Sequence, residues 1–245
     1  MKQLLTAISF LTILPFGPKE KVTDKDLGGS LRFFPLVGIL IGLIAVFAAS
    51  ITGWLPRPVS GALVLITMVV VTGGVHLDGF ADSCDGLYGH IPKERRLAIM
   101  RDSSIGVMGT LGLVLLLLLK YALIISVPED MLWRVLIVMP LVGRWAQVTA
   151  CTTSCYARDN GKARSFIEHA GKGALPGATL FSLAAAILIL GGIGIVTFLS
   201  AAAFTGIVTA WIKRRIGGMT GDTIGAVSEL IEVVTGLMIL SVIYA

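Results

Sequence analysis

The chain has 245 residues, of which 55% are hydrophobic and 14% charged, and its mean hydropathy is +0.88. Soluble domains carry roughly 25% charged residues, so this composition excludes an ordinary soluble domain and indicates a polytopic membrane protein. The net charge of +5 is explained by basic loops beside membrane spans. The sequence lacks a basic patch interleaved with aromatic residues, so we expect no nucleic acid among its partners.

The opening segment, MKQLLTAISFLTILPFGP, predicts a short helix embedded in the membrane or lying at its interface. About 20 apolar residues cross a bilayer, and the rest of the chain supplies seven such segments. The predicted spans are 35–54, 59–75, 105–127, 131–151, 174–192, 193–212 and 224–244. Because no internal repeat or linker is evident, the expected fold class is all-α, a helical bundle that forms one integral membrane domain over residues 1–245.

Basic residues alternate between the two sides of the predicted spans. Sixteen of the twenty Lys and Arg residues fall on one side, in segments 2–32, 93–101, 158–172 and 213–215. By the positive-inside rule that side is cytoplasmic. We therefore expect a cell inner membrane protein, surrounded by lipid, with a cytoplasmic N-terminus and its membrane-boundary aspartates on the cytoplasmic side.

The segment GGVHLDGFADSCDG follows the second predicted span and places Asp78, Asp82 and Asp85 at i, i+4 and i+7. A helix puts all three carboxylates on one face, where like charges repel unless a cation lies between them. Magnesium takes oxygen ligands and commonly joins a few carboxylates to substrate phosphates. The segment therefore predicts a magnesium–diphosphate site, and the alternative is a solvated helix face carrying three acids.

A second motif, RDSSIG, adds Asp102 as a fourth acid beside Arg101 and Ser103. Asp102 is a candidate metal ligand. Alternatively, Ser103 or Ser104 caps the third spanning helix, and Asp102 favours its positive end. Both interpretations remain open at this point.

Guanidinium groups match the geometry of phosphate oxygens, so several arginines are candidates for binding a diphosphate. These candidates are Arg95, Arg96, Arg101, Arg144, Arg158 and the cluster 213–215. For most of them the simpler interpretation is a loop charge that sets topology. Arg144, in GRWAQ, lies inside the fourth predicted span and must find a partner there.

Late in the chain, Asp222, in GDTIG, again places an acid at the start of a helix and is a further candidate metal ligand. Glu229 and Glu232 lie deeper in the same span, where they would be partners for buried arginines or supports for the site. His76 is close enough to the aspartate segment to orient it, although a structural histidine is the simpler interpretation.

Four motifs together resemble the cobalamin synthase family: HLDGFADSCDG, RLAIMRDSSIG, the early FFPLVGILIG and the late GGMTGDTIGA. The resemblance covers nearly the whole chain. It implies a Mg²⁺-dependent membrane enzyme, adenosylcobinamide-GDP ribazoletransferase, which joins adenosylcobinamide-GDP to α-ribazole or its 5′-phosphate and releases GMP. The family's aspartate motif falls on Asp78, Asp82 and Asp85 and its next acidic motif on Asp102, whereas Arg101 stands where the family commonly has lysine.

In that reaction a ribose hydroxyl attacks the phosphorus nearer the corrinoid, and GMP leaves with new negative charge. Magnesium held by the aspartates would take up this charge, and arginines would stabilise the equatorial oxygens. One aspartate should serve as a general base, and Asp85 and Asp102 are our two hypotheses.

A corrinoid is larger than one small helical pocket, so we expect an open cytoplasmic cavity and consider a homo-oligomer and other nucleotide-loop assembly enzymes as partners. The nearest alternative is a CDP-alcohol phosphotransferase, whose motif would place arginine where Ala81 stands. An ion-coupled transporter, the alternative from another class, predicts acids near the midplane and repeat symmetry.

Overall fold

A computed structural model describes residues 1–245, except for the side chain of Lys162. Lys162, one of the basic residues of segment 158–172, thus lies outside the described side chains. In the described residues the chain forms twelve α-helices: α1 (Lys2–Leu11), α2 (Asp24–Ser30), α3 (Phe34–Thr52), α4 (Arg57–Thr72), α5 (Val75–Leu87), α6 (Lys93–Ile99), α7 (Val107–Ser126), α8 (Glu129–Thr152), α9 (Lys162–Glu168), α10 (Ala174–Leu190), α11 (Gly192–Ile216) and α12 (Gly221–Ile243).

The all-helical membrane fold is confirmed, but the count of seven spans is not. By length and composition, five helical stretches of the described chain can cross a membrane: α2 continued by α3, then α7, α8, α11 and α12. A sixth is added if α4 and α5 count as one broken span. Each predicted span does contain a helix near its predicted position, but α4 has 16 residues and α10 has 17, which makes both short for a bilayer.

A right-angle bend separates α4 from the aspartate helix α5. Gly73 and Gly74 both adopt left-handed backbone conformations, with φ of 62° and 66°, which glycine reaches without the steric cost of a Cβ. The two helix axes differ in direction by 90°. The sequence predicts a span that continues directly into the aspartate segment. In the structure the aspartate segment instead runs at a right angle to that span.

Helix α8 lies at the centre of the bundle. Every residue from Val135 to Val148 is buried, and α3, α10, α11 and α12 all pack against the helix. Its polar residues Arg144 and Gln147 are consequently interior, where polar groups need partners.

A short main-chain bridge joins the loop after α8 to the segment before α12. The Met219 N–H donates to the Cys155 carbonyl at 2.9 Å, and the Ala157 N–H donates to the Met219 carbonyl at 2.9 Å. This pairing holds Arg158, the next residue of the loop, beside the first turn of α12.

Candidate active site

Helices α5 and α12 approach each other closely at Gly79. A Cβ at this position would lie 2.7 Å from the Asp222 Cα and 2.8 Å from its carbonyl oxygen. Because both of these atoms belong to backbone, a larger residue would force the helices apart. Glycine here therefore allows the aspartates of α5 to lie beside Asp222.

Three aspartates and one arginine meet at this contact. Asp78 and Asp222 line a common cavity, and Asp82 is half-buried within range of the charges of both. We call Asp78, Asp82 and Asp222 the acidic cluster. Arg158 Nη2 lies 2.8 Å from Asp222 Oδ2, whereas no hydrogen bond or ion pair within the described residues involves the carboxylates of Asp78 and Asp82. Their oxygens are available to a ligand.

The acidic cluster suits a cation that shares its ligands with a substrate. Among the side chains that the structure describes, no group of three His, Cys, Asp or Glu could hold a metal by itself. Magnesium, however, is usually bound by only one or two carboxylates, with substrate phosphates and waters completing its shell. The carboxylate oxygens of the cluster fit that use.

The carboxylate of Asp85 caps another helix. Its two oxygens accept the N–H groups of Gly106 and Gly109, each at 2.8 Å. These groups lie at the start of α7, whose N-cap, Gly106, has no capping side chain of its own. Of the two interpretations left open by the sequence, the one in which Ser103 or Ser104 caps this helix is therefore wrong, because both serines precede the N-cap and the carboxylate from α5 takes their place. The predicted metal or base role of Asp85 stays a prediction, with both oxygens already engaged.

We expect Asp85→Asn to lower the free energy of unfolding by about 1–2 kcal/mol, the usual cost of losing a helix cap. An amide has a single acceptor oxygen, so one of the two N–H groups loses its partner, and the negative charge at the positive helix end is also lost. Thermal unfolding in detergent measures the effect. Asp102→Asn is the matched control, since Asp102 lies on the adjoining loop without capping α7, and equal melting temperatures for the two variants would contradict this role.

The loop before α7 carries Asp102, Arg101 and Ser103, all of them exposed. Asp102 Oδ1 accepts the hydroxyl of Ser104 at 2.6 Å and its N–H at 3.0 Å. These bonds, with a smaller effect of the Arg95 charge, hold the pKa of Asp102 below its usual value. The charge of Arg101 acts on Tyr156, which lines the cavity. The site roles predicted for Asp102, Arg101 and Ser103 remain predictions.

Arg96 is buried against the end of α5. Its guanidinium donates to the carbonyls of Leu87 at 2.8 Å, Gly89 at 2.7 Å and Gly86 at 3.3 Å. These carbonyls lie at, or just beyond, the C-terminal end of α5, where a positive charge is favourable. Arg96 thus fastens α6 to the aspartate helix, and the phosphate contact predicted for it stays a prediction.

Arg144 belongs to a second charged group, within the bundle, and does not line the cavity that Asp78 and Asp222 share. It donates to Glu232 and, at 3.0 Å, to Ser228 Oγ. Lys120 Nζ lies 2.5 Å from Glu229 and 2.6 Å from Glu232. We call Lys120, Arg144, Glu229 and Glu232 the buried ion network; its two cations and two anions balance. Arg144 thus finds the partner that its position requires, while Lys120, at the end of an apolar run, was missed by the sequence analysis.

The cavity beside the acidic cluster has a volume of about 590 Å³. Besides Asp78, Asp222, Arg158 and Tyr156, its lining includes two further groups of side chains. One consists of the rings of Phe10, Phe34 and Phe166, and the other of the side chains of His76 and Gln147. His76 was a candidate from the sequence, whereas Gln147 and the three phenylalanines were not, because such residues are ordinary in apolar helices.

Comparisons with known proteins identify the family of this chain. A family model described as cobalamin-5-phosphate synthase matches residues 3–240. An adenosylcobinamide-GDP ribazoletransferase of Geotalea daltonii is 41% identical over 234 residues, which cover 95% of this chain and 94% of that protein. A protein of the same name from Desulforamulus reducens is 38% identical over 94% of this chain and 92% of its own length. Another from Pseudomonas putida is 38% identical over 97% of this chain and 98% of its own length. No solved structure matches the chain. The chain therefore belongs to the cobalamin-5-phosphate synthase family.

Proposed function

We propose that the chain is a membrane-bound, magnesium-dependent adenosylcobinamide-GDP ribazoletransferase. It joins adenosylcobinamide-GDP to α-ribazole, or to its 5′-phosphate, and releases GMP. The names of the relatives support the reaction. The observation that carries the proposal is the meeting of Asp78, Asp82 and Asp222 with Arg158 beside one cavity.

The reaction forms a bond between a ribose oxygen of α-ribazole and the phosphorus nearer the corrinoid, and breaks the bond from that phosphorus to GMP. Bound Mg²⁺ would supply the positive charge that offsets the charge developing on the departing phosphate. One or two carboxylates of the acidic cluster, which consists of Asp78, Asp82 and Asp222, would hold it, and this leaves another to act as the base. Arg158, held beside Asp222 by the main-chain bridge, presents its guanidinium to the phosphate oxygens.

The hydroxyl proton must pass to a base as the new bond forms. Both carboxylate oxygens of Asp85 are already engaged as acceptors for the N–H groups at the start of α7. Asp102 accepts the N–H and the hydroxyl of Ser104, and such bonds favour its charged form and weaken it as a base. Asp82 has no such bond among the described residues. We therefore infer that the base belongs to the acidic cluster, in preference to either residue favoured from the sequence.

For the cellular setting, the distribution of Lys and Arg supports an inner membrane location with the acidic cluster on the cytoplasmic side. A cavity of about 590 Å³ is too small to enclose a corrinoid together with a nucleoside. The corrinoid would then rest on the cytoplasmic surface, where a second copy of the chain or another enzyme of nucleotide-loop assembly could contact it.

The test is release of GMP from adenosylcobinamide-GDP and α-ribazole by the purified protein in detergent. We expect GMP with Mg²⁺, none with EDTA, and recovery when Mg²⁺ is added in excess of EDTA. GMP release that EDTA leaves unchanged would contradict the metal role alone.

Two other outcomes would favour the alternatives. Release of CMP from a CDP-alcohol without GMP release would favour a CDP-alcohol phosphotransferase. Ion movement in proteoliposomes without any nucleotide turnover would favour a transporter, for which the buried ion network would become the candidate path.

A further inference from the structure

Two features of the cavity are not needed to hold a diphosphate. One is the aromatic wall, which consists of Phe10, Phe34 and Phe166. The other is the amide–imidazole pair, which consists of Gln147 and His76. Both line the same cavity as Asp78 and Asp222, so a ligand that touches the acidic cluster can reach them.

The aromatic wall brings together one ring from each of three helices, α1, α3 and α9. The Phe166 ring centroid lies 4.5 Å from that of Phe10 and 5.7 Å from that of Phe34. Phe34 and Phe166 are each only 2% exposed, whereas Phe10 is 38% exposed, so the Phe10 ring supplies most of the free surface and the other two rings hold it in place. Aromatic surfaces of this kind bind flat apolar rings, and they offer no donor or acceptor to a polar edge.

The amide–imidazole pair is buried and incompletely bonded. Gln147 and His76 are 1% and 5% exposed, and their Nε2 atoms lie 2.8 Å apart. Within the described residues, His76 Nδ1 and Gln147 Oε1 have no hydrogen-bond partner. If the Gln147 amide donates to the ring, His76 Nδ1 carries a proton, and the pair offers one donor and one acceptor. Buried polar atoms are nearly always bonded, so this pair points to a ligand that both donates and accepts, as a sugar hydroxyl does.

Only one part of the two substrates matches the acidic cluster, the aromatic wall and the amide–imidazole pair together, and that part is ribazole. A corrinoid macrocycle is too large for the cavity. The edge of guanine carries donors and an acceptor that the aromatic wall would leave unbonded, which is costly in a buried site. Ribazole combines a flat benzimidazole base, in which one ring nitrogen is the only free polar atom, with a ribose whose reacting hydroxyl must reach the acidic cluster.

We propose that this cavity is the ribazole subsite: the aromatic wall holds the benzimidazole base, and the Gln147–His76 pair binds the ribose beside Asp78 and Asp222. The assignment rests on the proposed function and adds to it which substrate enters the helical bundle. The corrinoid and the guanosine then bind outside this cavity. Gln147 and His76 are binding residues in this arrangement, and the proton of the hydroxyl passes to the acidic cluster.

The first test compares the two Michaelis constants of aromatic-wall variants. Phe166→Ala is expected to raise the KM for α-ribazole by at least about tenfold, the scale on which a binding anchor is lost, because the Phe10 ring loses the neighbour that holds it in the wall. It should leave the KM for adenosylcobinamide-GDP within about twofold. Phe198→Ala is the matched control, because Phe198 is also buried, at 3% exposure, but packs 4.6 Å from Trp145 instead of lining the cavity. Gln147→Met, which keeps the length of the side chain, should likewise raise the KM for α-ribazole alone. If Phe166→Ala does not fold, Phe166→Leu replaces it, with a smaller expected rise in the same constant.

The second test measures equilibrium binding of α-ribazole to the protein in detergent, without the other substrate. We expect wild type and Phe198→Ala to bind it, and Phe166→Ala and Gln147→Met to bind it at least about tenfold more weakly. If the binding follows this pattern but the protein releases no GMP, the proposed reaction is contradicted while the assignment of the subsite stands. The subsite is overturned if wild type does not bind α-ribazole, if the variants bind it as wild type does, or if they lose affinity for GMP instead.

Discussion

Replacing Asp82 with asparagine is expected to lower the rate of GMP release by at least about a hundredfold, the scale on which a catalytic base or an electrostatic stabiliser is lost. Asp82 is half-buried and lies within range of the charges of Asp78, Asp222 and Arg158. Its carboxylate accepts no hydrogen bond from the described residues. Asparagine keeps its size but can neither accept a proton nor offer an anionic ligand. The measurement is the initial rate with saturating Mg²⁺ and both substrates.

The same substitution should leave the melting temperature unchanged or raise it. Removing one of several neighbouring negative charges relieves repulsion, so loss of rate would not reflect loss of fold. Asp130→Asn is the matched control, because Asp130 precedes Gln147 by 17 residues on α8, which is about 26 Å along the helix. The Asp130→Asn variant should release GMP at the rate of wild type. Full activity of Asp82→Asn, or a rate that falls only together with the melting temperature, would remove Asp82 from the site.

Replacing Glu232 with glutamine is expected to lower the free energy of unfolding by about 3–5 kcal/mol, the usual cost of breaking a buried ion pair from one side. Glu232 accepts from both Lys120 and Arg144, and its side chain is 3% exposed. Its neutralisation leaves two cations with Glu229 as their only anion in the buried ion network. Thermal unfolding in detergent, with GMP release as a second readout, measures the loss.

A balanced double substitution is the control for that prediction. Lys120→Met combined with Glu229→Met removes one charge of each sign and keeps the Arg144–Glu232 pair, and apolar replacement of a buried pair is often close to neutral. The double variant should therefore melt above Glu232→Gln. If the double variant melts at or below the melting temperature of Glu232→Gln, the loss of stability in Glu232→Gln is due to packing and not to charge balance.

The helices of this fold were predictable because long apolar runs are a strong local signal. Segments 105–127 and 131–151, for example, correspond to α7 (Val107–Ser126) and α8 (Glu129–Thr152). The bend at Gly73 and Gly74 was not predictable in this way. Hydropathy does not report a left-handed backbone, and the composition of the segment is equally compatible with a straight helix.

The acidic cluster was predictable in part, because the spacing of Asp78 and Asp82 and the position of Asp222 are visible in the sequence. The role of Asp85 was not, since its partners Gly106 and Gly109 are 21 and 24 residues away and meet it only through tertiary packing. The same holds for Gln147, whose environment in the centre of the bundle is decided by four neighbouring helices.

The bend between α4 and α5 fixes the height of the aspartates of α5 relative to the membrane. In a straight continuation of α4, Asp78 and Asp85 would differ in height by about 10 Å, at 1.5 Å per residue. Because α5 runs at 90° to α4, the carboxylates of Asp78, Asp82 and Asp85 lie in a layer parallel to the bilayer when α4 crosses it. The length of α4 then sets the distance of this layer from the opposite face of the membrane, and one helical turn more or less would move all three carboxylates together by about 5 Å.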